Sequence, residues 1–197
     1  MSHLRIRPAA YRRTILVALL MSLMMWPGPA RAQTVPTCPR GSGIITPTGL
    51  GSLVMREGDG LDGVALGATA ASVERAWGQP SECVSQPRGY AYQYVLSDDG
   101  GQTGLIIAVV LYQDRVEQIL AMLWPHSGGR GPALRTSRGV SIMDPSGDVR
   151  RVYGTPTIQS QNAMGYEAEG VAFLISRNVV GGILVFPPGT VPPGWRP

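Results

Sequence analysis

Two kinds of hydrophobic spacing divide this chain: a strand-like alternation and a helix-like period. The alternating stretches are rich in β-branched and aromatic residues and are bounded by turn-forming residues, which predicts antiparallel strands. In the first part of the chain these strands are residues 90–96, 105–112 and 116–123. In the second part they are a strand within residues 158–168, then residues 171–176 and 179–186.

A short helix is predicted before each set of strands. In residues 70–77, Val73, Ala76 and Trp77 fall on one face, and Thr69 or its neighbour is expected to cap the first turn. A two-turn helix is unstable alone, so we expect it to pack on the sheet.

The second helix is predicted from the same features. Asp144 is expected as its N-cap, with Pro145 at the first helical position. Its buried face is predicted to consist of Val149, Val152 and Tyr153. Later in this part, Arg177-Asn178 is predicted as a tight turn, and Gly181-Gly182 as a bulge or a close backbone approach.

The two parts match at a spacing of 76 residues without a gap. The matching pairs are Gly63 with Gly139, Val64 with Val140, Val73 with Val149, Arg75 with Arg151, Gly78 with Gly154 and Pro80 with Pro156. Gly89 and Tyr90 match Gly165 and Tyr166 in the same way. This repetition predicts two copies of one unit. Because the later strands match at a spacing of 64, the first hairpin of the first copy is expected to carry about 12 extra residues.

The predicted fold class is therefore α+β, with two tandem αβββ repeats whose short helices pack on antiparallel sheet. The predicted divisions are a signal peptide at 1–32, an N-terminal segment at 33–62, repeat 1 at 63–124, an exposed linker at 125–138, repeat 2 at 139–187 and a Pro/Gly-rich tail at 188–197.

Residues 1–32 have the three parts of a signal peptide. Arg5, Arg7, Arg12 and Arg13 precede an apolar stretch at residues 15–26, and Ala30-Arg31-Ala32 supplies a cleavage pattern. We expect the chain to be exported to the periplasm or the medium, with no membrane span left after cleavage.

The leader holds five of the 17 basic residues and none of the 13 acidic ones, so 12 basic and 13 acidic residues remain, a net charge of −1. The pI of 9.4 of the whole chain therefore gives no reason to expect nucleic-acid binding.

Export also bears on the two cysteines. An even number of cysteines in an oxidising compartment favours a disulfide between Cys38 and Cys83. The alternative is two unpaired thiols, and a metal site is weaker still because the chain after residue 32 has one histidine. We predict no metal and no cofactor.

The repeated glycine, valine and proline positions permit a family comparison. The run that starts at Gly63 and continues through Val73, Trp77, Gly78 and Pro80 resembles the repeated motif of the β-lactamase-inhibitor-protein-like fold. The small lipoprotein of the outer-membrane β-barrel assembly machinery resembles a single such unit. The resemblance implies helices packed on one face of an antiparallel sheet, and a non-catalytic binding protein. It implies no particular binding residue.

Candidate catalytic residues are few. His126 lies in a Gly/Ser-rich segment, so we expect a solvated side chain rather than a member of a Ser-His-Asp triad. Asp98 and Asp99 could form an acid/base or metal pair, but neighbours on a strand point to opposite faces, and Gly100-Gly101 follows as in a turn. We predict no catalytic residue.

Two surfaces are candidates for binding. Tyr90, Tyr92 and Tyr94 alternate on one face of a strand, either as an exposed aromatic row or as core beneath the helix. The possible binding surface comprises these tyrosines with Asp98 and Asp99. Three arginines could hold an anion or belong to a solvated linker: Arg130, Arg135 and Arg138.

The sequence thus predicts an exported, non-catalytic binding module for an unknown protein partner in the bacterial envelope or medium. One alternative is an inhibitor of a secreted enzyme, which would use the hairpin around Asp98 as its projecting loop. A small secreted hydrolase that uses His126 is the second alternative.

Overall fold

The computed structural model describes residues 44–45, 53–86, 88–98, 101–123, 134–192 and 195. Within these ranges the chain is α+β and mostly antiparallel, as the sequence predicts. The helices are α1 (Ala70–Trp77) and α2 (Ser146–Tyr153). In chain order, the strands are β1 (Ile44–Ile45), β2 (Val54–Arg56), β3 (Gly60–Leu61), β4 (Val64–Ala65), β5 (Glu82–Gln86), β6 (Gly89–Asp98), β7 (Gly101–Tyr112), β8 (Arg115–Leu123), β9 (Arg135–Thr136), β10 (Ile158–Ser160), β11 (Ala163–Tyr166), β12 (Val171–Ser176) and β13 (Val179–Val185).

The large sheet has nine strands in the order β1-β6-β7-β8-β13-β12-β11-β10, and β5 also pairs with β6. We call α1 with β5–β8 the first half, and α2 with β10–β13 the second half. The halves join where β8 and β13 pair antiparallel, from Ile119 opposite Val185 to Met122 opposite Gly182. The two halves therefore share one continuous sheet.

Gly181 and Gly182 shape this junction as the sequence predicts. The register of β12 on β13 shifts after Leu174, which pairs with Gly182, so that Ile175 pairs with Val180 and Gly181 forms a bulge. A Cβ on Gly182 would lie 3.0 Å from the Ala121 carbonyl oxygen, which confirms the close backbone approach. The tight turn is also present, because Arg177 and Asn178 both have positive φ, at 51° and 64°.

A second sheet has four strands in the order β4-β3-β2-β9. It joins the segment that precedes α1, which forms β2, β3 and β4, to the segment that precedes α2, which forms β9. Strand β9 pairs parallel with β2 and lies in the predicted linker. The last part of that linker is not exposed, since Leu134 and Thr136 are each 1 % exposed. Thr136 exchanges hydrogen bonds with Val140, which pins the segment to the start of the second half.

Each half contains one strand more than the predicted αβββ unit. Strand β5 follows α1 and pairs with β6, and β10 follows α2 and pairs with β11. Both strands are largely exposed and polar, so they lack the apolar alternation that identifies a strand in the sequence.

The helices show which capping predictions hold. Thr69 Oγ1 accepts a hydrogen bond from Ser72 N at 3.2 Å, so the predicted cap of α1 is confirmed. Asp144 does not cap α2, because its carboxylate accepts from Ser141 N at 2.7 Å and closes the preceding turn. Pro145 is the N-cap residue rather than the first helical residue.

The buried helix faces are narrower than predicted. Ala70, Val73 and Trp77 are buried on α1, whereas Ala76 is exposed. On α2, Val149 and Tyr153 are buried and Val152 is 36 % exposed. The neighbouring buried residues of each helix are thus three or four positions apart, and the residue just before the last aromatic residue, Ala76 or Val152, is exposed.

The halves repeat the same hydrogen bonds at an unexpected offset. Tyr94 Oη donates to the carbonyl of Gly78, at the end of α1, at 3.0 Å, and Tyr166 Oη donates to Gly154, at the end of α2, at 3.2 Å. Tyr166 therefore corresponds to Tyr94, 72 residues earlier, and the predicted match with Tyr90 is wrong. The reason is that the β10–β11 hairpin is shorter than the β5–β6 hairpin.

The extra residues of the first half are divided between two hairpins. Seven residues separate Thr157 from Gly165, and 11 separate Ser81 from Gln93, although each pair makes the same hydrogen bonds. Four residues separate Tyr166 from its partner Val171. Twelve separate Tyr94 from its partner Ile107. The β5–β6 hairpin is thus four residues longer than its counterpart, and the β6–β7 hairpin is eight residues longer.

Candidate binding face

The three predicted tyrosines belong to the core beneath α1. Tyr90, Tyr92 and Tyr94 are 7 %, 3 % and 0 % exposed, so they do not form an exposed aromatic row. The Trp77 ring packs edge-on against Tyr94, with centroids 5.4 Å apart. This arrangement agrees with the alternative in which the row lies under the helix.

Carboxylates meet the hydroxyls of two of these tyrosines. Tyr90 Oη donates to Asp114 at 3.1 Å, and Tyr92 Oη donates to Glu74 at 2.7 Å. Burial, followed by the Asp114 hydrogen bond, raises the pKa of Tyr90 to about 12. Burial and the bond to Glu74 raise the pKa of Tyr92 in the same direction. These hydroxyls remain neutral donors that anchor the sheet to the helix and to the β7–β8 turn.

Several other predicted residues lie outside the described residues. They are Cys38, Asp99, His126 and Arg130, together with the side chain of Asp98. Cys83 lies on β5 opposite Tyr92 and is not a free thiol. Its pairing with Cys38 stays a prediction.

The two described linker arginines have different surroundings. Arg135 is exposed on β9. The Arg138 guanidinium lies 4.9 Å from the centre of the Tyr153 ring and 4.0 Å from the Glu169 carboxylate. Arg138 is thus held by its own chain, and the two side chains do not share a partner that would gather them around an anion.

Sequence reasoning missed a polar cluster between the small sheet and α2. The half-buried Glu57 carboxylate accepts hydrogen bonds from Ser137 Oγ and Tyr153 Oη, and from Arg138 N at 3.4 Å. Burial opposes ionisation, but these hydrogen bonds outweigh it and lower the pKa of Glu57. The cluster ties the β2–β3 turn to the second half. Nothing in the sequence pattern marks Glu57, whose partners lie about 80 to 96 residues away.

The large sheet has two different faces. Both helices and the small sheet cover one face, where the aromatic core lies. We call the opposite side the second face. Its side chains alternate along the strands with those of the core, and many are apolar. They include Ala91, Gln93, Ala108, Leu120, Ala163, Gly165, Ala172 and Leu184. All of these residues except Ala163 are buried, so this part of the face is not open to solvent.

The C-terminal segment packs on the second face, in one apolar cluster with residues of both halves. Among the described residues, those from outside the sheet that join this apolar cluster are Phe186, Val191 and Trp195. Trp195 is 8 % exposed, and its ring would lie 3.7 Å from a Cβ placed on Gly165. This is an ordinary contact distance, so the indole packs over Gly165, and the tighter neighbour of such a Cβ is Ile158 Cβ at 3.2 Å.

The corresponding part of the first half is polar at one position. Gln93 corresponds to Gly165, since Ser81 N and Thr157 N each donate to their carbonyl oxygens at 2.9 Å. Gln93 is 5 % exposed, and its Nε2 has no hydrogen-bond partner within the described part of the chain. Most buried polar groups are hydrogen-bonded, so this amide is an exception that needs a reason. Alternation with the tyrosines predicts the face of Gln93, but its missing partner depends on tertiary structure.

Within the described ranges, no group of three or more His, Cys, Asp or Glu residues could hold a metal ion. The same ranges contain no helix long and apolar enough to cross a membrane.

Comparisons with known proteins give structural neighbours of low similarity. No protein-family model matches the chain, and no curated protein sequence matches it. One similar solved structure is an extracellular protein containing an SCP domain from Bacillus anthracis, at 10% identity and a TM-score of 0.40, covering 62% of this chain and 44% of that one. Another is a cysteine-rich secretory protein from Staphylococcus aureus, at 10% identity and a TM-score of 0.43, covering 69% and 52%. The chain matches about half the length of these proteins.

These neighbours correct the family resemblance expected from the sequence. They are SCP-domain and cysteine-rich secretory proteins rather than β-lactamase-inhibitor-like ones, so that assignment is wrong. The repeated Gly, Val and Pro positions lie in turns before each helix, at the helix ends and in the core under each helix. Such positions specify local structure, not one family.

Proposed function

We propose that this chain is an exported, non-catalytic binding protein that engages another protein in the bacterial envelope or the medium. The observation that supports this best is β10, which ends the nine-stranded sheet among the described residues and has largely exposed side chains. The outer edge of such a strand offers main-chain N–H and C=O groups with which an extended segment of another protein can pair.

We also infer that the sheet consists of two tandem copies of one unit. Both helices have eight residues and end at a glycine with φ near 80°. After α1, Ser81 N donates to the Gln93 carbonyl on β6, and after α2, Thr157 N donates to the Gly165 carbonyl on β11. In each half a later tyrosine, Tyr94 or Tyr166, donates from its hydroxyl to the carbonyl of the glycine that ends the helix. Duplication of a unit with one helix-covered face gives a broad sheet whose other face is continuous across β8 and β13.

Crosslinking tests the proposal. The chain from residue 33 onward, carrying a photo-reactive group at exposed Gln159 on β10, is added to the native envelope fraction and medium. We expect one protein to be crosslinked. An excess of unlabelled chain should remove this crosslinked product. The control places the same group at exposed Ala76 on α1. Equal labelling from both positions, or no competition, would contradict the proposal.

A specific feature supports inhibition of a secreted enzyme as a second candidate. The β6–β7 hairpin is eight residues longer than its counterpart and extends past the last pair between β7 and β8, Leu105 with Leu123. A loop that projects in this way could enter the cleft of an enzyme. Replacing residues 97–102 with a two-residue turn should then abolish inhibition of the captured enzyme while the chain remains folded.

The hydrolase alternative depends on His126. If the chain were such an enzyme, His126→Ala would lower turnover by a factor on the order of hundreds, as for a lost general base. We expect this substitution to leave partner capture unchanged.

A further inference from the structure

Two strands of equivalent position lie at opposite edges of the nine-stranded sheet, β5 after α1 and β10 after α2. Strand β5 begins with Glu82 and is followed by Pro87-Arg88, and the Arg88 guanidinium lies 3.9 Å from the Glu117 carboxylate. Charges and prolines are the residues by which natural sheets discourage the addition of another strand. Residues 157–162, which contain β10, include neither. The duplicated edge is thus guarded in the first half and unguarded in the second.

The register of the β10–β11 hairpin determines which main-chain groups of β10 face outward. Ser160 pairs with Ala163 across a two-residue turn, so these two residues exchange both main-chain hydrogen bonds. Because the pattern alternates along an antiparallel strand, the N–H and C=O groups of Gln159 point away from β11. No strand in the described part of the chain pairs with that side of β10. The edge therefore offers one donor and one acceptor to another extended segment.

The side chains beside Gln159 limit what that segment can be. Ile158 pairs with Gly165 and packs against the apolar cluster that contains Trp195. Ile158 is only partly buried, so this apolar surface continues to the edge of the sheet. Side chains directly opposite each other on neighbouring strands have Cβ atoms about 4.5–5.5 Å apart and interact. An apolar side chain opposite Ile158 would therefore cover its exposed part.

A second copy of this chain fits the edge poorly. Two copies related by a two-fold axis must pair their β10 strands antiparallel. If the axis passes through Gln159, Ile158 lies opposite a serine, Ser160 of the other copy, and stays partly exposed. If the register instead brings the two Ile158 side chains together, Gln159 lies opposite Thr157, whose N–H already donates to the Gly165 carbonyl at 2.9 Å. Neither arrangement satisfies both the main chain and Ile158.

We propose that the outer edge of β10 docks an extended, uncharged segment of a partner protein by strand pairing. The segment exchanges main-chain hydrogen bonds with Gln159 and places an apolar, β-branched side chain beside Ile158. It is uncharged because residues 157–162 offer no opposite charge. This inference rests on the proposed function and names the chemistry of the partner. Since β10 has three residues and one outward pair of main-chain groups, the contact with Ile158 provides much of the selectivity.

The probe is a capped, fluorescent peptide in which threonine and valine alternate. A second peptide has serine in place of each valine. Binding to the chain from residue 33 onward is measured by fluorescence anisotropy. We expect saturable binding of one threonine–valine peptide per chain and at least about fivefold weaker binding of the serine peptide. In Ile158→Ser the two peptides should bind equally weakly, because the valine has lost its partner. An undiminished preference for valine in this variant would overturn the proposal.

Gln159→Pro tests the main-chain pairing. Proline removes the outward N–H and is tolerated on an edge strand where that group faces solvent, so the peptide should bind at least about fivefold more weakly to a folded chain. The matched control is Ser85→Pro, because alternation from the Gln86–Gly89 pair turns the Ser85 N–H outward on β5. It should leave peptide binding unchanged. Equal binding to both proline variants would overturn the proposal.

Hydrogen exchange gives the same test without a substitution. Saturating peptide should slow exchange of the Gln159 main-chain amide, measured by NMR on the unmodified chain. Unchanged exchange at this amide would overturn the proposal even if a proline variant failed to fold.

Other outcomes assign the edge differently. No peptide binding at millimolar concentration would overturn the inference. Dimerisation of the unmodified chain that Gln159→Pro abolishes would give the edge to a second copy and overturn the separate partner. A native protein crosslinked from position 159 equally well with and without Ile158→Ser would refute the chemistry inferred for the partner but leave the proposed function standing.

Discussion

Each helix is expected to depend on one aromatic residue for its attachment to the sheet. Trp77 and Tyr153 are each 8 % exposed and occupy the last position of α1 and α2. Trp77 contacts the Tyr94 ring and donates from Nε1 to the Asp62 carbonyl at 3.0 Å. Tyr153 contacts the Tyr166 and Phe173 rings, with centroids 5.2 and 5.1 Å away. Each of the two residues thus packs the last turn of its helix against aromatic rings of the large sheet.

The expected loss is large in both cases. Replacing a buried Trp or Phe with alanine typically costs about 3–5 kcal/mol, and Trp77→Ala and Tyr153→Ala should fall in this range. Most domains have only about 5–15 kcal/mol of stability, so either variant should be close to unfolding at 37 °C. The loss in Tyr153→Ala includes the hydrogen bond to Glu57, which Tyr153→Phe isolates.

Urea unfolding followed by circular dichroism measures these losses. Val152→Ala is the control, since this neighbour of Tyr153 is 36 % exposed and should change stability by less than about 0.5 kcal/mol. Losses below about 1 kcal/mol for both aromatic residues would refute the packing described here. A large loss at one residue alone would show that the halves do not use their helices equivalently.

Three further predictions follow from named contacts. Because hydrogen bonds depress the pKa of Glu57 below its ordinary 4.5, the stability it contributes should be full above that value and be lost as pH falls through the folded pKa. Glu57→Gln should therefore flatten the acid side of a melting-temperature profile, and an unchanged profile would contradict this. Gly182→Val should cost about 1–3 kcal/mol, since its Cβ would meet Ala121, Leu174 and Met122 at 3.0–3.2 Å, whereas Gly181→Val meets nothing closer than 3.7 Å and should cost less. Thiol titration of the unfolded, non-reduced protein from its native compartment should find no free thiol if Cys38 and Cys83 are paired, and two free thiols would refute the pairing.

The strands of the core were predictable because their side chains carry a strong pattern. Residues 105–112 and 116–123 lie within β7 and β8, and the turn at Arg177-Asn178 is present. Strands β5 and β10 were not predictable, because edge strands with exposed polar side chains resemble loops. Both helices lie 76 residues apart, but the tyrosines that bond to their last glycines lie 72 apart, since matching letters cannot show that a hairpin is shorter in one half.

The candidate site was predictable only in part. Alternation places Gln93 opposite the tyrosines, and that much can be read from the sequence. The correspondence of Gln93 with Gly165 depends on backbone hydrogen bonds, and so does the choice of Tyr94 as the partner of Tyr166. The cap at Asp144 failed for a local reason, because its carboxylate accepts from Ser141 N three residues earlier and closes the preceding turn.

The parallel pairing of β2 with β9 has a consequence for how the chain reaches its folded state. Strand β2 must wait for a strand that lies about 80 residues later, and β8 must wait for β13, whose paired residues lie about 60 to 66 positions later. Pairings between segments so distant in sequence slow folding, because the intervening chain must be closed into a loop first. Until both are made, β2 and β8 present unpaired edges that can join a neighbouring molecule. The same two pairings that unite the halves therefore leave the incompletely folded chain open to exchange of its second half between molecules.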